Sequence, residues 1–383
     1  MPAYEDELTQ IVAQLNRAAP GARDTRQHSP ADLASLDAVL AHAVSHGASD
    51  LLLIADVPVT LRVGGSLSHT TGPPLTAEGT RNLLLPLMTP AQAQELQRNK
   101  SVDLCFSRQG IGRFRANVHM QRGTVAGSVR LLPEKMPTLE TLHLPLTLRR
   151  LAEARQGLLL VTGPTGCGKS STLAALVDLI NRERHAHIVT IEDPVEFVHS
   201  NRKSIIEQIE VGQDAPDFAT SLRSILRQNP DVILVGEMRD AETMATVLTA
   251  AETGHLVFST LHTNDTSQAV SRILDSFPAG NQSQIRQQFS LALLAVVAQQ
   301  LVPSAGGGRY PVVEVLMASS GVRSLIRKGD DHQIYSAIST GRSQGMITME
   351  QSLSEMVRSG RITRETAQAH CFRPDDLFIP GTA

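Results

Sequence analysis

The chain has 383 residues, of which 41% are hydrophobic, 19% charged and 3% aromatic with no tryptophan, and its formal net charge is −3. That composition supplies a large aliphatic core and excludes a wholly disordered chain; the near-neutral balance excludes a sequence-wide basic footprint for nucleic acid. At roughly 100–200 residues per domain, two domains are expected.

At the amino end, MPAYEDELTQIVAQL has acids where a signal peptide needs lysines, and it lacks an apolar core. Leu8, Ile11, Val12 and Leu15 fall instead at helical spacing, and the stretch AAPGARDTRQHSP that follows reads as a linker. Leu36, Val39, Leu40, Ala43 and Val44 predict one helical face, closed by Gly47 as the residue after the cap. Strands are expected at 50–54 and 59–63, with Gly64 and Gly65 as a hairpin turn. The segment GRFRANVHM at 112–120 alternates, placing Phe114, Ala116, Val118 and Met120 on one face and Arg113, Arg115, Asn117 and His119 on the other. A second strand is expected at 127–131, and a proline-marked stretch at 133–145 separates this small α/β domain from the rest.

From residue 158 the pattern changes. Apolar runs at 158–161, 188–191, 232–235 and 256–258 alternate with helical patterns, the first of them carrying Leu173, Leu176, Val177 and Ile180. Such continuous apolarity predicts a mostly parallel sheet covered on both sides. The longest apolar run, 291–298, is far short of the roughly 20 residues of a membrane span and reads as a buried helix. Beyond about residue 320 the chain reads as helical, and Thr348 with Gln351 forms a capping box before Leu353, Met356 and Val357. The three cysteines, Cys105, Cys167 and Cys371, stand too far apart for a disulfide framework or a four-thiolate zinc site. A soluble protein of a reducing compartment is expected.

The strongest motif is GPTGCGKS at 163–170, with two glycines five apart followed by Lys and Ser, after an apolar strand and opening a helix. Gly163, Gly166 and Gly168 let the backbone wrap and aim N–H groups at phosphate oxygens. Lys169 offers charge to β/γ-phosphates and Ser170 a hydroxyl to Mg²⁺, while the helix N-terminus adds its partial positive charge. The strand in NPDVILVGEMRD (229–240) ends in Gly236 and Glu237. Many P-loop enzymes close such a strand with an aspartate that holds the Mg²⁺ shell; here the carboxylate is Glu237, one position on. The segment IVTIEDPVEFVH (188–199) brings Glu192, Asp193 and Glu196 to another strand end. Singly, these acids also read as solvated turn charges; two acidic strand ends beside a phosphate loop point to metal binding and water activation. In AAETGHLVFSTLHTNDT (250–266), His255 opens a strand and His262 follows it. A lone histidine is ordinarily structural, but polar groups at the carboxyl end of a core strand are placed to sense a γ-phosphate. There is no zinc-ligand spacing, so oxygen-ligated Mg²⁺ is expected.

These four segments, in this order and spacing, resemble the Walker A, Asp-box, Walker B and His-box motifs of the type II/IV secretion-type hexameric ATPases. Within that family the chain is most similar to the type IV pilus retraction (twitching motility) ATPases. The likeness extends to GASDLLLIADVPVTLRVGG, GRFRANVHMQRG and VRSLIRKGDDHQIYSAISTGRSQGMITMEQSL, so it covers residues 36–370. Positions 321–326 read GVRSLI where retraction ATPases usually read AIRNLI, with glycine for alanine and serine for asparagine among the differences. That leaves the ATPase assignment untouched and keeps an accessory paralogue of the retraction motor open. Assembly and secretion relatives usually carry a paired CxxC zinc element, which the scattered cysteines here cannot build.

The resemblance implies a RecA-like P-loop ATPase domain at 146–320 with a smaller PAS-like α/β N-terminal domain at 35–132. An N-terminal extension (1–34), a linker (133–145) and a C-terminal helical segment (321–383) complete the organisation. It implies a cytoplasmic homohexamer at the inner face of the membrane, engaging an inner-membrane pilus platform protein, with ATP and Mg²⁺ as ligands and no sequence-specific nucleic acid. Gly163, Pro164, Thr165, Gly166, Cys167, Gly168, Lys169, Ser170, Ser171 and His255 would bind nucleotide, and Ser170 and Glu237 the metal. Glu192 is read as the general base and Glu237 as the Mg²⁺-shell carboxylate, the reverse assignment staying open. Lys169, His262 and the small-domain arginines Arg115, Arg122 and Arg130 complete the catalytic set. Two other classes compete: a regulatory subunit that binds ATP without hydrolysing it, opposed by intact Lys169, Glu192 and Glu237, and a nucleic-acid translocase, opposed by net acidity and scarce aromatics.

Overall fold

The computed structural model describes residues 35–378; the helix expected near Leu8–Leu15 and the linker after it lie outside them. The chain divides into two compact units, Met1–Glu134 and Lys135–Ala383.

In the first unit, helix α1 (Leu36–Ser45) starts on the Ser35 side chain, which accepts from Ala38 N–H, and ends before Gly47 at φ 62°. Val39, Leu40 and Ala43 are buried, whereas Val44, expected on the same face, is 42% exposed. Strands β1 (Asp50–Leu53), β2 (Thr60–Val63), β3 (Ser66–His69), β4 (Ser101–Arg108), β5 (Gly112–Gln121) and β6 (Thr124–Leu132) form an antiparallel sheet in the order β3-β2-β1-β6-β5-β4. Helices α2 (Ala77–Leu84) and α3 (Pro90–Asn99) precede β4. Phe114, Ala116 and Val118 of β5 are fully buried, as the alternation requires, against Val39, Leu40, Leu51 and Val129.

The second unit holds α4 (Arg149–Glu153), β7 (Gly157–Thr162), α5 (Lys169–Glu183), β8 (His187–Glu192), β9 (Ile205–Glu210), α6 (Phe218–Ile225), β10 (Val232–Val235), α7 (Ala241–Glu252) and β11 (Leu256–Leu261). After these come α8 (Thr266–Asp275), α9 (Ala279–Ala292), β12 (Leu293–Pro303), β13 (Arg309–Met317) and the C-terminal helices, of which α10 is Ser320–Lys328. Sheet order is β13-β12-β7-β11-β10-β8-β9, parallel throughout except for β13. Leu158 and Leu160 pack into one core and Leu159 and Val161 into another on the opposite face. Burial on both faces is why these strands read as unbroken apolar runs.

Two expectations change. The run 291–298 is not a helix: α9 ends at Ala292, and Leu293 onward is β12, parallel to β7 and antiparallel to β13. A strand buried on both faces and a buried helix carry the same apolar signature, so periodicity could not separate them. The stretch 133–145 is not a free linker, since Leu139 and Leu144 are buried in the core around Leu159 and Leu176. The expected C-terminal helical segment is present, and its Val322, Ile326, Ile334 and Ile338 share the core of Leu158 and Val257. Arg323, within 321–326, donates to the carbonyls of Ala318 at 3.0 Å, Ser290 at 2.6 Å and Leu293 at 2.7 Å, pinning the α9–β12 junction. The expected capping box at Thr348 and Gln351 is present.

Candidate active site

The carboxyl ends of β7, β8, β10 and β11 lie along one edge of the second sheet, through the registers Leu261↔Thr162, Val235↔Ser259 and Val235↔Ile191. In open parallel sheets, that edge is where ligands bind. From β7 the chain turns through Gly163 (φ 144°), Gly166 (79°) and Gly168 (93°) into α5 at Lys169. A Cβ at Gly163 would stand 2.2 Å from the Gln299 carbonyl oxygen and 2.7 Å from Cys167 Sγ, so no other residue fits. The loop N–H groups and α5's N-terminus form an anion cradle of the phosphate-binding kind.

Lys169 is 9% exposed, and its ammonium donates to the carbonyls of Gly163 at 2.8 Å and Pro164 at 3.1 Å. Burial pulls its pKa down, while Cys167, Glu237 and Glu196 act in the opposite sense. The Cys167 thiol is buried, which pushes its pKa up. Ser170 and Ser171 follow in the first turn of α5, half-buried. Two tethers were not anticipated. Gln299 of β12, 3% exposed, donates from Nε2 to the Cys167 carbonyl at 2.6 Å and accepts from the Thr172 hydroxyl at 2.7 Å. Thr162 Oγ1 accepts from Thr263 N–H at 3.0 Å, fastening the loop strand to the segment after His262. The one available signal for Gln299 was a polar residue inside an apolar strand.

Glu192 closes β8, and its Oε1 accepts from Thr190 Oγ1 at 2.7 Å and Gln208 Nε2 at 3.2 Å. Burial raises its pKa; hydrogen bonds from Thr190, Gln208 and the Glu196 backbone oppose that, and the Glu196 charge adds to it. Glu237, with 14% of its side chain exposed, pairs with Arg239 Nη2 at 2.6 Å and His262 Nε2 at 3.3 Å. The glycine in the usual aspartate position has a steric reason. A Cβ on Gly236 would sit 3.2 Å from the Ile191 carbonyl oxygen and 3.4 Å from Glu192 Cα, so the ends of β8 and β10 approach because that side chain is missing. Asp193 is exposed and Glu196 half-buried on the loop beyond.

His262 thus joins Glu237, but His255 does not reach the loop. It precedes β11 at the opposite edge of the sheet, and its Nδ1 lies 3.0 Å from the Ala250 carbonyl oxygen, fastening the end of α7. Six strand residues, roughly 20 Å at 3.3 Å each, separate it from His262, so within its own chain it is a structural histidine. Arg115, Arg122 and Arg130 belong to the first unit. Arg115 faces Arg130 across β5 and β6; Arg130 Nε donates to Asp50 Oδ1 at 3.0 Å, and Arg122 occupies the β5–β6 turn at φ 48°. Among the described residues, no three His, Cys, Asp or Glu side chains gather as a metal cage. Mg²⁺ is ordinarily held by one or two protein oxygens, water and the substrate's phosphates; Ser170 in the first turn of α5 and Glu237 past β10 are the hydroxyl and the carboxylate that could hold it.

The family described as type II/IV secretion system protein matches residues 28–307. The chain is 41% identical over 339 residues to the type IV pilus retraction ATPase PilT of Pseudomonas aeruginosa, covering 88% of this chain and 98% of that protein. It is also 41% identical over 337 residues to the type IV pilus ATPase PilU of the same organism, covering 88% of each. A crystal structure of the pilus retraction motor PilT with bound ADP superposes with a TM-score of 0.84 at 44% identity, over 90% of this chain and 98% of that one.

Proposed function

The chain belongs to the type II/IV secretion system protein family and is an ATPase of the pilus retraction type, and we propose that it works as a cytoplasmic homohexamer whose hydrolysis of ATP drives type IV pilus retraction. What carries the reading is one constellation: a glycine loop with buried Lys169, flanked by two strand-end glutamates, in a chain similar to a retraction ATPase over nearly that protein's whole length. Among the described residues no helix is long and apolar enough to cross a membrane. As the family resemblance implies, the hexamer engages the pilus machinery at an inner-membrane platform protein.

The β- and γ-phosphates of ATP lie in the cradle from Gly163 to Ser171, and Lys169 exchanges its loop carbonyls for phosphate oxygens. Mg²⁺, when bound, neutralises phosphate charge as it builds up in transfer. Ser170 and Glu237 would hold it, with Arg239 and His262 fixing the Glu237 carboxylate. Glu192 takes the proton of the attacking water, and burial, by raising its pKa, makes the carboxylate a stronger base. His262, coupled to Glu237, carries the phosphate state toward the segment after β11.

The identity with PilU, equal to that with PilT, favours one second reading, an accessory subunit of the same motor. Deletion of the gene separates the possibilities. Piliated cells that do not twitch are the expected result; bald cells overturn retraction in favour of assembly, and normal twitching leaves only an accessory role.

Arg115, Arg122 and Arg130 are assigned to transition-state charge on a nucleotide held by a neighbouring chain. Arg115→Ala and Lys169→Ala proteins should each be inactive, and their mixture should regain partial ATPase activity once subunit exchange is demonstrated. Exchange without any gain removes these arginines from a shared site.

A further inference from the structure

Glu192 is held by more than its own strand. The neighbouring edge strand β9 runs parallel to β8 with Gln208 opposite Thr190 and Glu210 opposite Glu192. Residues two apart on a strand share a face, and both of these reach the loop that follows Glu192. Gln208 Nε2 donates to Glu192 Oε1 at 3.2 Å and to the Phe197 carbonyl at 2.9 Å, while its Oε1 accepts from His199 N–H at 2.8 Å. Glu210 Oε2 accepts from Val195 N–H at 3.0 Å. One glutamine thus bonds the strand-end carboxylate and two points of the loop together. Only a primary amide both donates twice and accepts; a carboxylate at this position has no donor for Glu192, and an alkyl group has neither function.

We propose that Gln208 is a positioning residue for ATP hydrolysis, whose amide holds Glu192 Oε1 and, through Phe197 and His199, the loop beyond it, so that the carboxylate meets the attacking water in one orientation. This rests on the reading of Glu192 as the base.

The surroundings of Glu192 give the proposal a pH signature. Glu196 on the loop brings like charge, opposed by its own backbone hydrogen bond to the carboxylate; Glu210, opposite on β9, accepts from Val195 N–H, and Gly236, just past β10, carries no charge. The donors Thr190 and Gln208 favour the charged form. Without the Gln208 donor the proton is held more tightly, so the acidic limb of the rate profile must move to higher pH.

The test uses the full-length assembled protein and two variants. Gln208→Leu removes donors and acceptor together; Gln208→Glu keeps the shape and the acceptor for His199 N–H but sets a carboxylate against Glu192. Both should lower kcat roughly tenfold or more, the scale of a misplaced reacting group, with KM for ATP changed less than about twofold. The acidic limb of kcat should rise in pH, further for Gln208→Glu than for Gln208→Leu. Circular dichroism and sizing identify the variants that fold and assemble. A folded variant with an unmoved limb and near-normal kcat overturns the proposal, and so does a variant that loses only melting temperature. If Gln208→Leu fails to fold, the isosteric Gln208→Glu decides alone. Glu192→Gln assayed in parallel keeps the two readings apart. An active Glu192→Gln sinks the base assignment itself, whereas an inactive one beside an unmoved Gln208→Glu limb sinks only the positioning role.

Discussion

Lys169→Ala is expected to abolish ATP hydrolysis and leave the fold standing. The ammonium is bonded to the carbonyls of Gly163 and Pro164, the residues that open the cradle. A preorganised charge or donor of this kind, aimed at developing negative charge, is worth about 10²–10³ in kcat, and here ground-state binding of the phosphates is lost as well. Stability should change little, because the dominant effect on Lys169 is the cost of burying its charge. The same sign makes Lys169 a weight the fold carries for function: its pKa is lowered in the folded chain, so alanine removes a penalty along with two hydrogen bonds. Phosphate release and a melting curve on the same preparation check both halves. Near-normal turnover would refute the nucleotide site; a collapsed melting temperature would refute the claim that Lys169 serves the ligand rather than the fold.

What could be read before folding was whatever the chain carries locally. The loop at 163–170 was legible because glycines, Lys169 and Ser170 are adjacent in sequence and flanked by strand and helix patterns. Glu192, Glu237 and His262 were legible because each ends an apolar run, and parallel strands deliver their ends to one edge. The tethers were not, since Gln299 meets Cys167 from 132 residues away and Gln208 meets Glu192 from 16. A polar residue reports such a partner only once the strands are side by side. His255 shows the same limit within the chain: it shares a motif with His262 but lies at the other end of β11, and proximity in a motif is not proximity in a sheet. In the first unit, β4 escaped notice. Val102 and Leu104 are buried, but Cys105 and Phe106 are both half-exposed and break the alternation.

Glu192→Gln and Glu237→Gln should both be nearly inactive, and the way each fails assigns the two carboxylates. Glutamine at 192 keeps the length of the side chain and an acceptor for the Thr190 hydroxyl, so the end of β8 is preserved while the group that takes the water proton is gone. General bases contribute about 10²–10⁴ in rate, and ATP binding should survive, leaving a protein that holds Mg·ATP without turning it over. At Glu237 the loss is different in kind. Its carboxylate faces Arg239 at 2.6 Å and His262 at 3.3 Å, so a neutral amide leaves a guanidinium without its counter-charge and, on the proposed roles, takes the acid from the metal shell. Glu237→Gln should therefore need much more Mg²⁺ to reach its residual rate, and Glu192→Gln should not. Titrating Mg²⁺ against turnover and nucleotide retention in both variants separates the roles. Tight trapping of ATP by Glu237→Gln, together with lost binding in Glu192→Gln, reverses the assignment: the base would then be the carboxylate that Arg239 and His262 hold, and Gln208 would support a metal ligand instead.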